Sequence, residues 1–183
     1  MNKNLLILGA GEYGMLVQEI AKAVGTFEKI SFLDDNKDTV LGKLSDYTKY
    51  KEEYTYALAA IGHSDTRMTW LTKLEEAGFE IPVLVSPRAY VSPSAQLHKG
   101  VIVEQMAVVQ TGTIIGKGCL ISSNATVSHN SFCGEGCHID CGAVVVSDSM
   151  VPARTKVSCG EVFELDRKVK MTELFSESLD IAN

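Results

Sequence analysis

Bulky apolar residues recur at every sixth position through the second half of the chain, with no insertion in the repeat. Thirteen positions are in phase: Val85, Val91, Leu97, Val103, Val109, Ile115, Ile121, Val127, Cys133, Ile139, Val145, Val151 and Val157. Mostly small residues recur with the same period four places later, from Ala89 to Thr155. A period of six suits neither a lone helix nor a plain strand pair, and hexad repeats indicate a β-helix. The pattern predicts short strands that coil around a narrow core and bury their inward residues only by stacking.

The first half of the chain has a different pattern, in which apolar runs alternate with segments of helical periodicity. Strands are predicted at residues 4–10, 30–33, 54–61 and 81–85, and helices at 13–24 and 65–77, the second one capped by Ser64. This alternation favours a small Rossmann-like α/β domain with a parallel sheet. The predicted domains are residues 1–84 and 85–163, followed by a tail, 164–183, in which 172–179 form a short amphipathic helix or a frayed end.

Composition and charge narrow the possible functions. An apolar fraction of 45% and a charged fraction of 22% in 183 residues are typical of an ordinary globular protein. The formal net charge of -6 disfavours nucleic acid or an anionic membrane surface as a partner. The apolar run at residues 5–10 is too short for a signal peptide core, so we expect a cytoplasmic protein.

Five cysteines fall inside the repeat. Cys119 and Cys137 are 18 residues apart, as are Cys141 and Cys159. The spacing of Cys133, Cys137 and Cys141 suggests a metal site, but in a hexad coil these residues fall at different positions and on different faces. We therefore expect reduced, structural cysteines and no metal.

Three glycines form a G-x-G-x-x-G turn after the first strand: Gly9, Gly11 and Gly14. Such a turn presents backbone N–H groups and a helix N-terminus to phosphate. Asp34 lies 20 positions past Gly14, as expected for a residue that binds a ribose. A purely structural turn is the alternative, and NAD is disfavoured because the second mononucleotide-binding half is missing. A nucleotide with a single base and ribose is the better fit.

The order of motifs makes a family resemblance specific. The motifs are Gly9-Ala10-Gly11-Glu12-Tyr13-Gly14, Phe32-Leu33-Asp34-Asp35, Ala60-Ile61-Gly62-His63-Ser64-Asp65-Thr66-Arg67 and then the hexads. They resemble the hexapeptide-repeat acyltransferases, and within them the sialic acid O-acetyltransferases and the N-acetyltransferases of UDP-4-amino-4,6-dideoxy sugars. The resemblance implies a left-handed parallel β-helix in which three hexads make one triangular coil, so that residues 18 apart stack.

The resemblance also implies a site. The general base is His129, a residue type whose ordinary pKa suits proton transfer near neutral pH. Asn130 stands where the family commonly has an acidic residue that orients the base. His138 would donate a hydrogen bond to acetyl-CoA, with an ordinary surface histidine as the alternative. Ser147 would supply a backbone N–H to the thioester carbonyl, where the family often has glycine.

The implied substrate is a nucleotide-linked amino sugar, held by the α/β domain. The residues expected to bind it are Gly9, Gly11, Tyr13, Gly14, Asp34, Asp35, Gly62 and His63. The family often has histidine where this chain has Tyr13. His98 is expected to face solvent.

The predicted function is acetyl transfer from acetyl-CoA to the sugar nitrogen in surface glycan synthesis, by a homotrimer with its sites between subunits. The hexads end at Val162, whereas relatives have further coils that line the coenzyme A cleft. A non-catalytic nucleotide-sugar-binding protein is therefore one alternative. An O-acetyltransferase of a sialic-acid-like sugar and a NAD-binding regulatory module are the others.

Overall fold

A three-stranded parallel sheet forms the centre of the first half of the chain. The computed structural model describes residues 2–165, so the predicted helix at 172–179 lies outside the described residues. The strands are β1 (Asn4–Leu8), β2 (Lys29–Leu33) and β3 (Tyr56–Ala59), in the order β2-β1-β3. The helices α1 (Glu12–Val24) and α2 (Ser64–Glu76) follow β1 and β3, and a 3₁₀ helix spans Leu44–Tyr50.

The prediction of a fourth strand in this sheet at residues 81–85 was wrong. Only an isolated bridge between Tyr56 and Glu80 extends the sheet beyond β3. The strand β4 (Leu84–Val85) instead pairs with β7 of the repeat region. β4 therefore belongs to the first coil of the repeat, which begins directly where the α/β region ends.

Fourteen two-residue strands build the repeat region. They are β4, β5 (Tyr90–Val91), β6 (Gln96–Leu97), β7 (Ile102–Val103), β8 (Val108–Val109), β9 (Ile114–Ile115), β10 (Leu120–Ile121), β11 (Thr126–Val127), β12 (Phe132–Cys133), β13 (His138–Ile139), β14 (Val144–Val145), β15 (Met150–Val151), β16 (Lys156–Val157) and β17 (Val162–Phe163). Each strand from β4 to β14 pairs in parallel with the strand three further along the chain, so residues 18 apart are partners, as in Leu120 with His138. The predicted parallel β-helix is confirmed.

Three sheets form the sides of this prism. The first face contains β4, β7, β10, β13 and β16, the second contains β5, β8, β11, β14 and β17, and the third contains β6, β9, β12 and β15. The tight turns between strands form the three edges. In a triangular cross-section each edge lies opposite one face, which decides where the turn residues can meet a ligand.

The interior of the prism follows the sequence pattern. The bulky hexad residues from Val103 to Val157 are fully buried. The small residues from Val101 to Ser149 are buried beside them, including Cys119 and Cys137. All five cysteines are free thiols. Burial of one β-branched or similar side chain per hexad therefore supplies the core that the repeat predicts.

A second core joins the α/β region to the first face of the prism. Outward side chains of that face, Leu84, Ile102 and Leu120, belong to the same buried cluster as the residues of the sheet and of both helices. The first face is therefore covered by the α/β region along its first three strands. Among the described residues, neither helix has the length and apolar character needed to cross a membrane.

Candidate active site

The glycine turn has a steric explanation at two of its three glycines. Gly9 has a φ of +102°, and a Cβ there would lie 2.8 Å from the carbonyl oxygen of Ala60. A Cβ on Gly14 would lie 2.1 Å from the carbonyl oxygen of Gly9. Both positions need glycine for close approach of the backbone. Gly11 is different, because a Cβ there would meet nothing within 4 Å.

The N-terminus of α1 is open to a ligand. Gly11 is the N-cap residue, and no side chain of residues 2–165 caps the helix. The first N–H groups of a helix have no partner within the helix, and the helix dipole favours negative charge there. An uncapped, glycine-lined N-terminus at the carboxyl end of β1 can therefore bind a phosphate group.

Asp34 fixes the shape of this turn. One oxygen of its carboxylate accepts a hydrogen bond from the N–H of Ala10 at 2.7 Å, and the other accepts one from Asn36 at 2.8 Å. These two hydrogen bonds hold the pKa of Asp34 below its ordinary value. Asp35 is exposed, and its side chain accepts a hydrogen bond from the N–H of Leu44. Direct contact of either carboxylate with a ribose stays a prediction.

A cavity of about 380 Å³ lies beside the turn, at the carboxyl ends of β1 and β2. It is lined by Ala10, Met15, Gln18, Phe32, Lys37, Thr39 and Val40. Lys37 brings a positive charge to this edge, where a diphosphate would need one. Sequence reasoning missed Lys37, although its position three residues after Asp34 was a usable signal.

Tyr13 points into the junction between α1 and the prism. Its hydroxyl is buried and has no hydrogen-bond partner among residues 2–165. Burial, and then the negative charge of Glu104, raise the pKa of this phenol. Glu104 is itself buried, and one of its oxygens accepts hydrogen bonds from the N–H and the hydroxyl of Ser123. Sequence reasoning missed Glu104, which occupies a hexad position where Ser86 and Ser122 stand in neighbouring coils.

The Gly62-His63 corner is held by α2. His63 is the N-cap residue, and its Nδ1 lies 3.0 Å from the hydroxyl of Thr66. The prediction that Ser64 caps this helix was wrong, because Ser64 is the first helical residue and its hydroxyl donates to the carbonyl of Gly136. The Ser64 hydroxyl therefore bonds to the prism and does not cap α2. His63 itself is exposed and free to contact a ligand.

His138 extends outward from β13, between Leu120 and Lys156 on the first face. Its Nε2 lies 3.0 Å from the hydroxyl of Ser122 and 3.7 Å from Asp140. Burial lowers the pKa of His138, while the charge of Asp140 acts against that shift. The neutral ring is therefore favoured, and a neutral imidazole can offer both a donor and an acceptor.

His129 lies in the turn between β11 and β12, on the edge between the second and third faces. It is exposed, its N–H donates to the side-chain oxygen of Gln110 at 3.1 Å, and its Nδ1 lies 3.4 Å from the amide nitrogen of Asn130. Asn130 has a φ of +58°, a conformation that asparagine tolerates better than most residues. Gln110, 19 positions before His129, was missed by sequence reasoning.

A second cavity, of about 450 Å³, surrounds this histidine. It is lined by Tyr90, Gln110, Thr111, His129 and Asn130. Ser147 lies in the next turn of the same edge, where the N–H of Asp148 donates to the carbonyl of His129. The imidazole of His129 is therefore accessible to an acceptor and can act as a general base.

The predicted site residues form two separate groups within one chain. The glycine turn, Asp34, the Gly62-His63 corner and His138 lie on or beside the first face. His129, Asn130 and Ser147 lie on the edge between the second and third faces, which is opposite the first face. The two groups therefore lie on different sides of the prism within one chain.

Comparison with known proteins agrees with this architecture. Residues 4–74 match the family model described as the PglD N-terminal domain. The acetyltransferase domain of PglB from Neisseria gonorrhoeae FA1090, solved in complex with acetyl coenzyme A, is 31% identical, with a TM-score of 0.85 over 88% of this chain and 82% of that one.

Two further structures share the fold. The perosamine N-acetyltransferase from Caulobacter crescentus, in complex with CoA and GDP-perosamine, is 24% identical with a TM-score of 0.80, over 89% of both chains. WeeI from Acinetobacter baumannii AYE is 16% identical with a TM-score of 0.54, over 86% of this chain and 87% of that one.

Proposed function

We propose that the protein transfers acetyl groups. The chain belongs to the hexapeptide-repeat, left-handed β-helix acyltransferases. Within them it belongs to the subfamily of the sialic acid O-acetyltransferases and UDP-4-amino-sugar N-acetyltransferases. The donor is acetyl-CoA and the acceptor is the amine of a nucleotide-linked amino sugar. The observation that carries the proposal is the similarity to the acetyl-CoA-bound PglB domain over most of both chains, together with an accessible His129 in its own cavity.

The nucleotide sugar binds the α/β region in this proposal. Its diphosphate occupies the uncapped N-terminus of α1, beside the cavity that Lys37 lines. Its sugar extends towards Tyr13 and the Gly62-His63 corner. We propose uridine as the base. The two-domain division at residues 84 and 85 is part of the same proposal, with one unit for the sugar and one for the acetyl donor.

Acetyl transfer is then assigned to the prism. His129 takes the proton from the sugar amine as the nitrogen adds to the thioester carbonyl, and Asn130 orients the imidazole ring. The N–H of Ser147 stabilises the oxyanion, and His138 donates a hydrogen bond to the bound donor. Collapse of the tetrahedral intermediate releases the coenzyme A thiolate, which takes up a proton to leave as the thiol.

A homotrimer brings the two groups of residues together in this proposal. Among residues 2–165, the second and third faces carry outward apolar columns that are half-buried or exposed: Tyr90, Val108, Val144 and Val162 on the second face, and Ile114, Phe132 and Met150 on the third. Exposed apolar patches of this kind mark protein interfaces, and cyclic symmetry closes the same contacts into a ring. His129 would then face the α/β region of the neighbouring subunit.

We also propose that the enzyme works in the cytoplasm. The support is chemical, because all five cysteines are free thiols, and reduced cysteines are typical of that compartment.

The test is an acetyl-transfer assay with acetyl-CoA and a panel of UDP-linked and GDP-linked amino sugars, with each 4-hydroxy analogue as a control. We expect release of the coenzyme A thiol and an N-acetylated product from an amino sugar, and none from its hydroxy analogue. Transfer only to the hydroxy analogues would favour the O-acetyltransferase. Binding of nucleotide sugar without any transfer would leave the non-catalytic alternative.

A further inference from the structure

Cys141 and Cys159 stand one above the other on the edge between the first and second faces. They are 18 residues apart, which is the stacking period of the coils, and the N–H of Gly160 donates to the carbonyl of Cys141 at 3.0 Å. The preceding strand residues, His138 and Lys156, are register partners. The two cysteines therefore occupy equivalent positions in successive coils.

Stacked coils bring the two backbones to the distance that a disulfide needs. Parallel strands lie about 4.8 Å apart. The Cα atoms of a disulfide-bonded pair usually lie about 4.4–6.8 Å apart. Both cysteines are exposed free thiols on the same edge, so an oxidant in solution can reach either sulfur.

We propose that Cys141 and Cys159 are a reversible modification site, which a disulfide oxidant such as oxidised glutathione converts to an intrachain disulfide. In the first step a thiolate of the pair attacks oxidised glutathione, forms a mixed disulfide and releases one glutathione thiolate. In the second step the other thiolate attacks the protein sulfur of the mixed disulfide and releases the second glutathione. The pair loses two electrons and two protons, and one oxidised glutathione becomes two reduced ones.

The surroundings of Cys141 affect its reactivity. Partial burial raises the pKa of the Cys141 thiol, and the negative charges of Glu104 and Asp140 raise it further. Exchange needs the thiolate, so attack by Cys141 is slowed. The bond joins the coil of His138 to the last described coil, so it restrains that coil.

The chain contains its own control pair. Cys119 and Cys137 are also 18 residues apart and stacked, but both are buried inside the prism. Their thiols donate to the carbonyl oxygens of Gly134 and Pro152, each at 3.0 Å. The spacing is the same in the two pairs, but the control pair is buried and its thiols are hydrogen-bonded, so stacking alone predicts a crosslink in both pairs and accessibility predicts one only at Cys141 and Cys159.

The experiment incubates the purified full chain with oxidised glutathione and then maps peptides without reduction. We expect a loss of two hydrogens in the intact mass, a Cys141–Cys159 crosslink, restoration by dithiothreitol, and slower hydrogen exchange across residues 156–163. Cys119→Ser should keep the crosslink, and Cys159→Ser should give at most a glutathione adduct on Cys141.

Absence of an intrachain crosslink, a Cys119–Cys137 crosslink, or crosslinks only between chains would overturn the proposal. These readouts are masses and exchange rates of the protein itself. Their outcome does not depend on the result of the acetyl-transfer assay.

Discussion

The guanidinium of Arg67 donates a hydrogen bond of 2.8 Å to the carbonyl oxygen of Gly136, which lies 69 positions later in the chain. Arg67 is fully buried, and its other donors reach the carbonyl oxygens of Gly118, Ile61 and Gly62. One side chain therefore joins two coils of the prism to the corner that precedes α2. Burial lowers the pKa of Arg67, but the group stays charged because its ordinary value is so high.

Arg67→Met should destabilise the protein strongly, because four carbonyl oxygens lose their donor in a buried place. We expect a loss of at least about 3 kcal/mol in the free energy of unfolding, measured by urea denaturation. Arg154→Met is the matched control, since Arg154 also links the prism to α2, through Asp65, but at 58% side-chain exposure. That exposed ion pair should contribute about 1 kcal/mol or less. Equal losses in the two variants would contradict the assignment.

His129→Ala should lower the turnover number for acetyl transfer by about 10²- to 10⁴-fold, the usual contribution of a general base. Circular dichroism and nucleotide-sugar affinity should stay as in the parent protein, because His129 is exposed and the nucleotide is held by the α/β region in the proposed arrangement. His98→Ala, at an exposed turn of an earlier coil, should leave turnover unchanged. Unchanged turnover in His129→Ala would remove this residue from the mechanism.

Tyr13→Phe should leave the stability unchanged or increase it by up to about 2 kcal/mol, because it removes a buried hydroxyl that has no hydrogen-bond partner in the described part of the chain. Tyr54→Phe should lower the free energy of unfolding by about 1 kcal/mol, since the Tyr54 hydroxyl donates a hydrogen bond to Ser31 at 2.7 Å. Thermal denaturation without ligand checks both values. If Tyr13 contacts the sugar nucleotide, calorimetry of the stable Tyr13→Phe variant should also show weaker binding.

Asp34 should contribute a pH-dependent part of the stability. Its folded pKa is lowered by the hydrogen bonds from Ala10 and Asn36, so its contribution is fully present above the unfolded pKa of about 4 and is lost as the pH falls through the folded value. The difference in unfolding free energy between the parent and Asp34→Asn should therefore be largest near neutral pH and shrink in acid. Asp38→Asn, at an exposed position, is the control. A difference that does not change with pH would contradict this role.

The trimer should depend on the third face. Light scattering of the parent protein should give three times the chain mass of 19.8 kDa. Phe132→Lys places a charge in the apolar column of that face and should yield monomers that no longer transfer acetyl groups, while circular dichroism keeps the β-helix signal. Gln96→Lys, in the same column at the open end of the sheet, should remain trimeric. A monomer that still transfers acetyl groups would refute a site shared between subunits.

The sequence by itself determined the β-helix, its register and its inward residues. Each hexad repeats the same local requirement, one bulky and one small buried residue, so the period of six already specifies that residues such as Leu120 and His138 are neighbours. The turn after β1 could also be predicted from the sequence. Gly9 and Gly14 are needed for close backbone contacts within the strand-helix unit and with the end of β3.

Only the tertiary structure decided how the two parts of the chain meet. The segment 81–85 reads as a fourth strand of the sheet, yet β4 pairs with β7, because an apolar run does not specify which strand it pairs with. His63 caps α2 in place of Ser64, whose hydroxyl donates to the carbonyl of Gly136, and Arg67 is buried by coils far along the chain. The covered face lies opposite the edge of His129. This arrangement results from packing between segments that are far apart in the sequence. Such packing does not produce a periodic pattern from which it could be predicted.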